Sequence, residues 1–252
     1  MRCLVINLDR SLDRLAHMTA EFARIGVPFE RVRAVDAAEV TRNPNLTAAE
    51  TACFLSHRKC WQVIVDGADQ FGAVFEDDIK FSKDAGRMLA RASWVPSDAD
   101  IVKLETFLSP IRIKPREIPV GGGHSVFRLV GQHLGAAGYL VSKQTAQRLL
   151  QQTKRLRTPI DAALFNPNRM TCSRHTIYQL SPALCVQTDL ISEHDAFPTM
   201  VQAGPIARGW LHNKILGQFS RTYAHFRSRS FFGTKKINVA FQEYRTSIRP
   251  KP

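Results

Sequence analysis

The sequence predicts an α/β domain with a basic C-terminal extension, and three observations lead to that prediction. An apolar run, an amphipathic stretch and a second short run fill the first 35 residues, which indicates a strand, a helix and a second strand. A later apolar run ends in three consecutive acidic residues at positions 76–78. The chain has 252 residues, of which 44% are hydrophobic, so it can bury the core of one large domain.

The first strand is predicted at residues 3–8, where an apolar run stops at a polar Asp-Arg-Ser sequence. Apolar residues then recur at helical spacing from Leu12 to Phe22, and Gly26 ends that helix. The second strand covers residues 29–35. In such a unit, ligands gather beyond the carboxyl ends of the strands. The polar side chains predicted at that edge are Asn7, Asp9 and Asp36.

A second helix is predicted from a capping box at Thr47 to about Val65. One of its faces carries metal-ligand types at helical spacing: Glu50, Cys53, His57 and Cys60. This face is compatible with a zinc site, with a core face holding one satisfied histidine, or with ligand recognition. Structural zinc usually takes paired, closely spaced ligands from two elements, which disfavours the zinc interpretation.

The acidic triplet Glu76-Asp77-Asp78 follows the strand FGAVF and precedes further apolar sequence. Three adjacent carboxylates at the end of a buried strand would repel one another, so a cation is expected between them. Mg²⁺ or Mn²⁺ accepts oxygen ligands and keeps positions open for phosphate oxygens. A solvated acidic turn is the alternative.

Further elements follow in order along the chain. They are a helix near 83–92, a strand at 101–105, a loop from about 107 to 125, a strand at 136–141, a helix capped by Ser142, and a helix that begins around Thr158-Pro159-Ile160-Asp161.

Composition narrows the classes of protein. Five cysteines without a C-x-x-C pair favour a reducing compartment, and neither a secretory signal nor a membrane-spanning apolar run is recognisable. We therefore expect a cytoplasmic protein. The net charge is +13, and from Arg208 onward the sequence has ten Lys or Arg and one acid, Glu243. The positive charge of the extension and that of the rest of the chain therefore need separate explanations.

Six ordered blocks resemble glycosyltransferase family 25, the group of lipooligosaccharide galactosyltransferases and collagen galactosyltransferases. The blocks are VINLDRSLDR, RAVDA, AETACFLSHRKCWQ, AVFEDDI, GAAGYLVSKQTAQRLL and PID. They span about residues 2–190, and the usual glycine before the helix cysteine is replaced by Ala52.

The resemblance implies a GT-A-type, Rossmann-like nucleotide-sugar-binding domain, a donor that is usually UDP-galactose, and an inverting transfer assisted by Mn²⁺ or Mg²⁺. It implies that Asp78 binds the metal, with Glu76 beside it, and that Asp77 contacts the donor. Asn7, Arg14 and Asp36 are expected near the nucleotide base. Ser56 and His57 are expected near the diphosphate.

An inverting transfer needs a general base for the acceptor hydroxyl. Asp161 is the first candidate and Glu105 the second, because each begins or ends an element on the expected side. The alternative for Asp161 is a first-turn carboxylate that serves the cap at Thr158.

We expect residues 1–200 to form the transferase domain and residues 201–252 to form a basic, aromatic tail. Residues 221–236 interleave cations with Tyr223, Phe226, Phe231 and Phe232, a pattern suited to the anionic inner-membrane surface on the cytoplasmic side, where a lipooligosaccharide acceptor is held. Packing of these rings on the domain is the alternative.

A metal-dependent phosphohydrolase and a nucleic-acid-binding protein are the rival functions. Scattered histidines argue against the first, and confinement of charge to the tail argues against nucleic acid as a partner.

Overall fold

The computed structural model describes residues 1–191 and 233–241, and its architecture confirms the α/β prediction. The helices are α1 (Leu12–Ile25), α2 (Ala48–Asp66), α3 (Ala85–Leu89), α4 (Lys143–Gln152), α5 (Ile160–Phe165) and α6 (Met170–Ser173). The strands are β1 (Arg2–Asn7), β2 (Glu30–Arg33), β3 (Phe71–Glu76), β4 (Ile79–Phe81), β5 (Ile101–Lys103), β6 (Pro110–Gly121), β7 (His124–Leu129), β8 (Gly138–Ser142), β9 (Ile177–Ser181), β10 (Cys185–Gln187) and β11 (Lys235–Asn238).

The central sheet has nine strands in the order β11-β6-β7-β9-β5-β8-β3-β1-β2 among the described residues. Strands β2, β1 and β3 are parallel, so their carboxyl ends meet at one edge. Strand β8 runs antiparallel to both β3 and β5. The small sheet of β4 and β10 lies beyond the acidic triplet. This arrangement brings the first loop, the triplet and the end of β10 together.

The sheet separates two apolar layers, as the alternation of side chains along β3 illustrates. Val74 packs on one side with Phe54 and Trp61 of α2. Phe75, its neighbour, packs on the other side with Phe22 of α1 and with β4. Both faces of the sheet are therefore covered, which holds the strand ends in fixed positions.

The predicted boundaries of α1, α2 and α4 agree with the structure, whereas α3 covers only Ala85–Leu89 of the predicted 83–92. The backbone of Gly26 ends α1 in the left-handed conformation, at φ 66°, which glycine adopts without strain. Thr47 and Glu50 form the capping box of α2, and the Ser142 side chain caps α4. Helix α5 begins at Ile160 with Pro159 at the N-cap, one residue later than the sequence indicated.

The interpretation of residues 107–125 as a loop was wrong, because β6 and β7 form a hairpin there. Ile111 and Ile113 alternate with exposed or half-buried residues and are buried against the sheet. The register shifts between Ile113 and Glu117, around Pro115, because proline cannot donate to a strand ladder. The glycines that indicated a loop form the turn of the hairpin, at positive φ.

Part of the predicted tail belongs to the sheet. Strand β11 pairs antiparallel with β6, and Val239 and Phe241 after it are buried. The Ala183 N–H donates to the carbonyl of Ala240 at 2.8 Å. The four aromatic residues of the 221–236 segment lie outside the described residues, so the division into residues 1–200 and 201–252 stays a prediction. Within the described ranges, no helix is both long and apolar enough to cross a bilayer.

Candidate active site

A cavity of about 160 Å³ opens at the carboxyl ends of β1, β2 and β3, against the first half of α2. It brings together most of the site residues predicted from the sequence. Those that line it are Asn7, Arg14, Ser56, His57, Glu76, Asp77 and Asp78. Asp36, Glu105 and Asp161 do not line this cavity.

Asp77 is held by side chains from two neighbouring elements. Its Oδ1 accepts a hydrogen bond from the Arg14 guanidinium at 2.7 Å, and its Oδ2 accepts one from the Asn7 amide at 2.8 Å. Arg14 therefore supplies one of the positive charges that the acidic triplet was expected to need. One positive charge does not balance three ionised carboxylates.

The contacts that the structure describes between Asp78 and charged or amide groups are long. Its Oδ2 lies 3.6 Å from the Arg14 guanidinium, and its two oxygens lie 3.4 and 3.5 Å from Nε2 of Gln187. Burial, and then the negative charge of Glu76, raise the pKa of Asp78 to about 7.

The pKa of Glu76 is also raised. Burial, followed by the charges of Glu105, Asp77 and Asp161, raises its pKa to about 8. Burial and neighbouring charges thus favour the protonated forms of Glu76 and Asp78 in the metal-free protein, and a bound cation would favour their ionised forms. A divalent cation with oxygen ligands fits this donor set.

Three of the predicted donor contacts are already engaged by the protein. The Asn7 amide donates to the Ser11 carbonyl as well as to Asp77, and the Ser56 hydroxyl accepts from the N–H of Val35. The Asp36 carboxylate accepts from the N–H of Ala38 and pairs with Arg10, which lines the cavity. Direct contact of these side chains with a donor stays a prediction.

His57 is fully buried between the cavity and the core. Its Nδ1 lies 3.0 Å from the Tyr139 hydroxyl oxygen, which also accepts the N–H of Trp61 at 2.8 Å. Its Nε2 lies 3.4 Å from a carboxylate oxygen of Glu76. Burial lowers the pKa of His57 to about 4, so the ring is neutral at physiological pH.

Only two of the four candidate metal ligands on α2, Cys53 and His57, lie close together in the described structure. Glu50 bonds back to Thr47 in the capping box, and Cys60 is buried in the core. Cys53 and His57 instead lie close to Glu76, which comes from β3.

Asp161 lies in the first turn of α5, which packs against α2. Its Oδ1 accepts the N–H of Ala162, a first-turn amide, at 2.6 Å, and the N-cap residue is Pro159, not Thr158. Asp161 therefore makes a first-turn contact of the kind that the alternative expects, without Thr158 as the capping residue. The negative charge of Asp161 raises the pKa values of both Glu76 and Cys53, so Asp161 belongs electrostatically to the same site.

Glu105 is fully buried and forms an ion pair with Lys103, which is also fully buried. Its Oε1 accepts from the Lys103 ammonium at 2.9 Å and from the N–H of Ala137 at 3.0 Å. Lys103 also donates to the carbonyl of Gly135 at 2.6 Å and lies 4.1 Å from the centroid of the Phe165 ring. Burial lowers the pKa of Lys103 despite the charge of Glu105.

We expect Lys103→Met to destabilise the fold by about 3–5 kcal/mol, because it leaves the Glu105 carboxylate buried without its ion-pair partner. Urea unfolding measures this change. The double variant Lys103→Met/Glu105→Gln should recover part of the loss, and Lys154→Met, at an exposed position, is the control. A loss below about 1 kcal/mol in the single variant would contradict the assignment.

Sequence reasoning missed several residues that line or support the cavity. Gln187 comes from β10, more than 100 residues after the triplet it contacts, and no local pattern indicated this. Arg10 and Ser11 line the cavity and lie inside the block VINLDRSLDR, so the resemblance contained that signal. Tyr139 was read only as a strand residue.

Sequence comparisons relate the chain to known glycosyltransferases. The family model described as glycosyltransferase family 25 (LPS biosynthesis protein) matches residues 1–164. The chain is 32% identical to the lacto-N-neotetraose biosynthesis glycosyltransferase LgtB of Neisseria gonorrhoeae over 206 residues, 73% of each chain. It is 30% identical to the lipooligosaccharide biosynthesis protein lic2B of Haemophilus influenzae over 203 residues, 73% of this chain and 74% of the relative.

Among solved structures, a glycosyltransferase involved in glycosylation of the major capsid of PBCV-1 matches with a TM-score of 0.46 and 8% identity. The match covers 74% of this chain and 91% of that chain.

Proposed function

The chain belongs to glycosyltransferase family 25, a family of LPS biosynthesis proteins, and we propose that it transfers galactose from UDP-galactose to a hydroxyl group of a lipooligosaccharide or related glycan. We propose further that its fold is of the GT-A type, that the transfer inverts the anomeric carbon, and that Mn²⁺ or Mg²⁺ assists it. The observation that carries this proposal is the cavity in which the acidic triplet, Arg14 and an apolar slot meet.

Two kinds of residue line the cavity, and both suit a nucleoside diphosphate. Small or aliphatic side chains, against which a planar base fits, come from Ile6, Leu8, Ala34, Val35, Ala49 and Ala52. Arg10 and Arg14 also line the cavity, and their guanidinium groups suit phosphate oxygens.

Asp78 and Glu76 would hold the divalent cation, because both line the cavity and a cation would favour the ionised forms that burial disfavours. When bound, such a cation takes up negative charge on the departing diphosphate. Arg14 holds Asp77 in place beside Asp78. Asn7 and Ser11 support Asp77 from the first loop.

Asp161 is the proposed general base. Its Oδ1 is occupied by the N–H of Ala162, so Oδ2 would take the proton of the acceptor hydroxyl as that oxygen attacks the anomeric carbon. Glu105 is less suited to this step because it is fully buried and bound by Lys103. Its role would be structural: the carboxylate pairs with Lys103 and accepts the N–H of Ala137.

The direct test measures release of UDP from UDP-galactose, UDP-glucose, GDP-mannose and CMP-sialic acid, each with and without a glycan acceptor and with Mn²⁺ or EDTA. We expect acceptor-stimulated UDP release from UDP-galactose that EDTA abolishes. Release of inorganic phosphate instead would indicate a phosphohydrolase. Activity with another donor would correct the sugar, and activity in EDTA would remove the cation from the proposal.

We also propose that the protein binds the anionic inner-membrane surface through the basic segment at 221–236. The described end of this segment places cations together, which supports the proposal. Lys236 lies opposite Arg112 in the pairing of β11 with β6. Lys114, two residues further along β6, is exposed and lies on the same face as Arg112. A truncation near residue 204 would delete β11 and the buried Phe241, so charge substitution in the full chain is the better test.

The triple variant Arg221→Gln/Arg227→Gln/Arg229→Gln is expected to weaken binding to anionic vesicles by about 10²-fold, since each cation contributes about 1 kcal/mol near such a surface. Cosedimentation with anionic and with neutral vesicles measures this. Arg91→Gln/Lys154→Gln/Arg155→Gln, which removes three exposed cations elsewhere, is the matched control. Equal loss in both triple variants, or binding that salt does not weaken, would contradict a specific membrane segment.

A further inference from the structure

Three different metal-ligand types meet on the wall of the cavity. The Sγ of Cys53, a ring nitrogen of His57 and a carboxylate oxygen of Glu76 all lie within 4.8 Å of one another. Cys53 and His57 are one turn apart on α2, and Glu76 ends β3. The ligands therefore come from two elements, which removes the objection to a metal site on a single helix face.

We propose that Cys53, His57 and Glu76 bind a thiophilic divalent cation such as Zn²⁺, and that this ion inhibits sugar transfer. The binding stands independently of the activity. The inhibition rests on the proposed function, because it follows from competition for Glu76 between this ion and the cation held with Asp78.

The surroundings of His57 suit a metal ligand. A metal-bound histidine usually donates its second ring N–H to an oxygen acceptor that fixes the ring orientation. Here the Nδ1 of His57 lies 3.0 Å from the Tyr139 hydroxyl oxygen, and Trp61 donates to the same oxygen. The oxygen has two lone pairs and can accept both N–H groups. The rings of His57 and Tyr139 are also stacked, with centroids 5.8 Å apart, so Nε2 is held toward the cavity.

The other two ligands can move to meet the ion. Ligand atoms around a tetrahedral zinc ion are about 3.3–3.8 Å apart, given metal–ligand bonds of about 2.0–2.3 Å. The 4.8 Å spread therefore has to shrink by about 1 Å. Rotation of Cys53 and Glu76 can achieve this, because both side chains are partly buried and not fully enclosed and the contact of Glu76 with His57 is long, at 3.4 Å.

The proton balance of binding is simple. Sulfur–metal and oxygen–metal bonds form as the Cys53 thiol and the Glu76 carboxyl, whose pKa burial raises to about 8, each lose a proton to water. The neutral His57 ring keeps its one proton: with Nε2 on the metal, that proton lies on Nδ1, beside the Tyr139 hydroxyl oxygen. The site offers three protein ligands, so we expect weaker binding than in a closed four-ligand zinc site.

Chemical softness distinguishes this site from the neighbouring one. Thiolate and imidazole favour Zn²⁺, Co²⁺ and Cd²⁺, whereas carboxylate oxygens favour Mg²⁺ and Mn²⁺. Asp78 contributes only oxygen and is absent from the Cys53 cluster. The two ions would share Glu76 and exclude each other.

Co²⁺ titration of the full-length protein, followed by absorption spectroscopy, tests the binding. We expect the charge-transfer absorption of a cobalt–thiolate bond in wild type, its displacement by Zn²⁺, and its loss in Cys53→Ser and Cys53→Ala. Cys60→Ser, on the same helix but outside the cluster, should keep the band, as should Asp78→Asn. Circular dichroism verifies the fold of each variant. Absence of the band in wild type, or its persistence in folded Cys53→Ser, would overturn the proposal.

The inhibition is measured as the Zn²⁺ concentration that halves UDP release at fixed Mn²⁺, each variant being normalised to its own rate without Zn²⁺. We expect Cys53→Ser to raise this concentration at least about 10-fold, since it removes the thiolate ligand. An unchanged value would overturn the inhibitory role. If no variant releases UDP, the proposed function has failed, while the cobalt spectrum still decides the binding.

Discussion

Asp78→Ala is expected to lower sugar transfer by about 10³-fold or more, because it removes an oxygen ligand from the cation that offsets charge on the leaving diphosphate. The metal-dependent part of UDP binding should disappear as well. Calorimetric titration of UDP with Mn²⁺ and with EDTA, together with initial rates at saturating donor, measures both effects. Asp69→Ala is the matched control, because Asp69 is an exposed acid near the other end of the same strand.

The fold should survive the loss of Asp78. Burial and the charge of Glu76 disfavour its ionised form, so its removal relieves repulsion in the metal-free protein. We expect the melting temperature of Asp78→Ala in EDTA to equal or exceed that of wild type. Wild-type rates in the variant would refute the assignment. An unfolded variant would instead show that Asp78 supports the structure through its contacts with Arg14 and Gln187.

The position of the site was predictable because it depends on local patterns that recur at the same sheet edge. The run before Asn7 and the run before Glu76 are both apolar, and parallel strands place their carboxyl ends together. Hydrophobic periodicity therefore placed Asn7 and Asp77 at one sheet edge, and the family resemblance added Arg14. The capping box of α2 and the glycine at the end of α1 were predictable because each is a local interaction.

Other features depend on contacts between distant parts of the chain, which the local sequence does not encode. The hairpin of β6 and β7 contains Pro115 and three glycines, residues that locally favour a loop. Pairing of its strands with β9 and β11 provides the hydrogen bonds that make it a sheet. The contact of Gln187 with Asp78 likewise requires the pairing of β10 with β4.

The acidic triplet shows where chemical reasoning succeeded in part. Repulsion among Glu76, Asp77 and Asp78 required a cation, and Arg14 is one. The sequence could not reveal how the three divide their partners. Asp77 takes the guanidinium and the Asn7 amide, which leaves Glu76 and Asp78 with raised pKa values and directs the metal prediction to them.

Asp161→Asn is expected to lower turnover by about 10²-fold or more while donor binding is kept, because an amide cannot take the proton of the acceptor hydroxyl. The substitution conserves the observed local contact: the Asn oxygen can still accept the N–H of Ala162, as Oδ1 of Asp161 does at 2.6 Å. Initial rates at saturating donor and acceptor measure turnover, and UDP titration measures donor binding.

A helix-stabilising role for Asp161 predicts a different outcome. Removal of a first-turn negative charge costs about 0.3–1 kcal/mol through the helix dipole, with turnover unchanged. Asp13→Asn provides the matched control, because Asp13 is an exposed acid in the first turn of α1. If Asp161→Asn and Asp13→Asn lose similar stability and neither loses turnover, Asp161 is a helix-terminal charge and another group is the base. A fall in turnover confined to Asp161→Asn, at unchanged UDP affinity, assigns the proton transfer to the Asp161 carboxylate. The reason is that Asp and Asn at position 161 can both accept the N–H of Ala162.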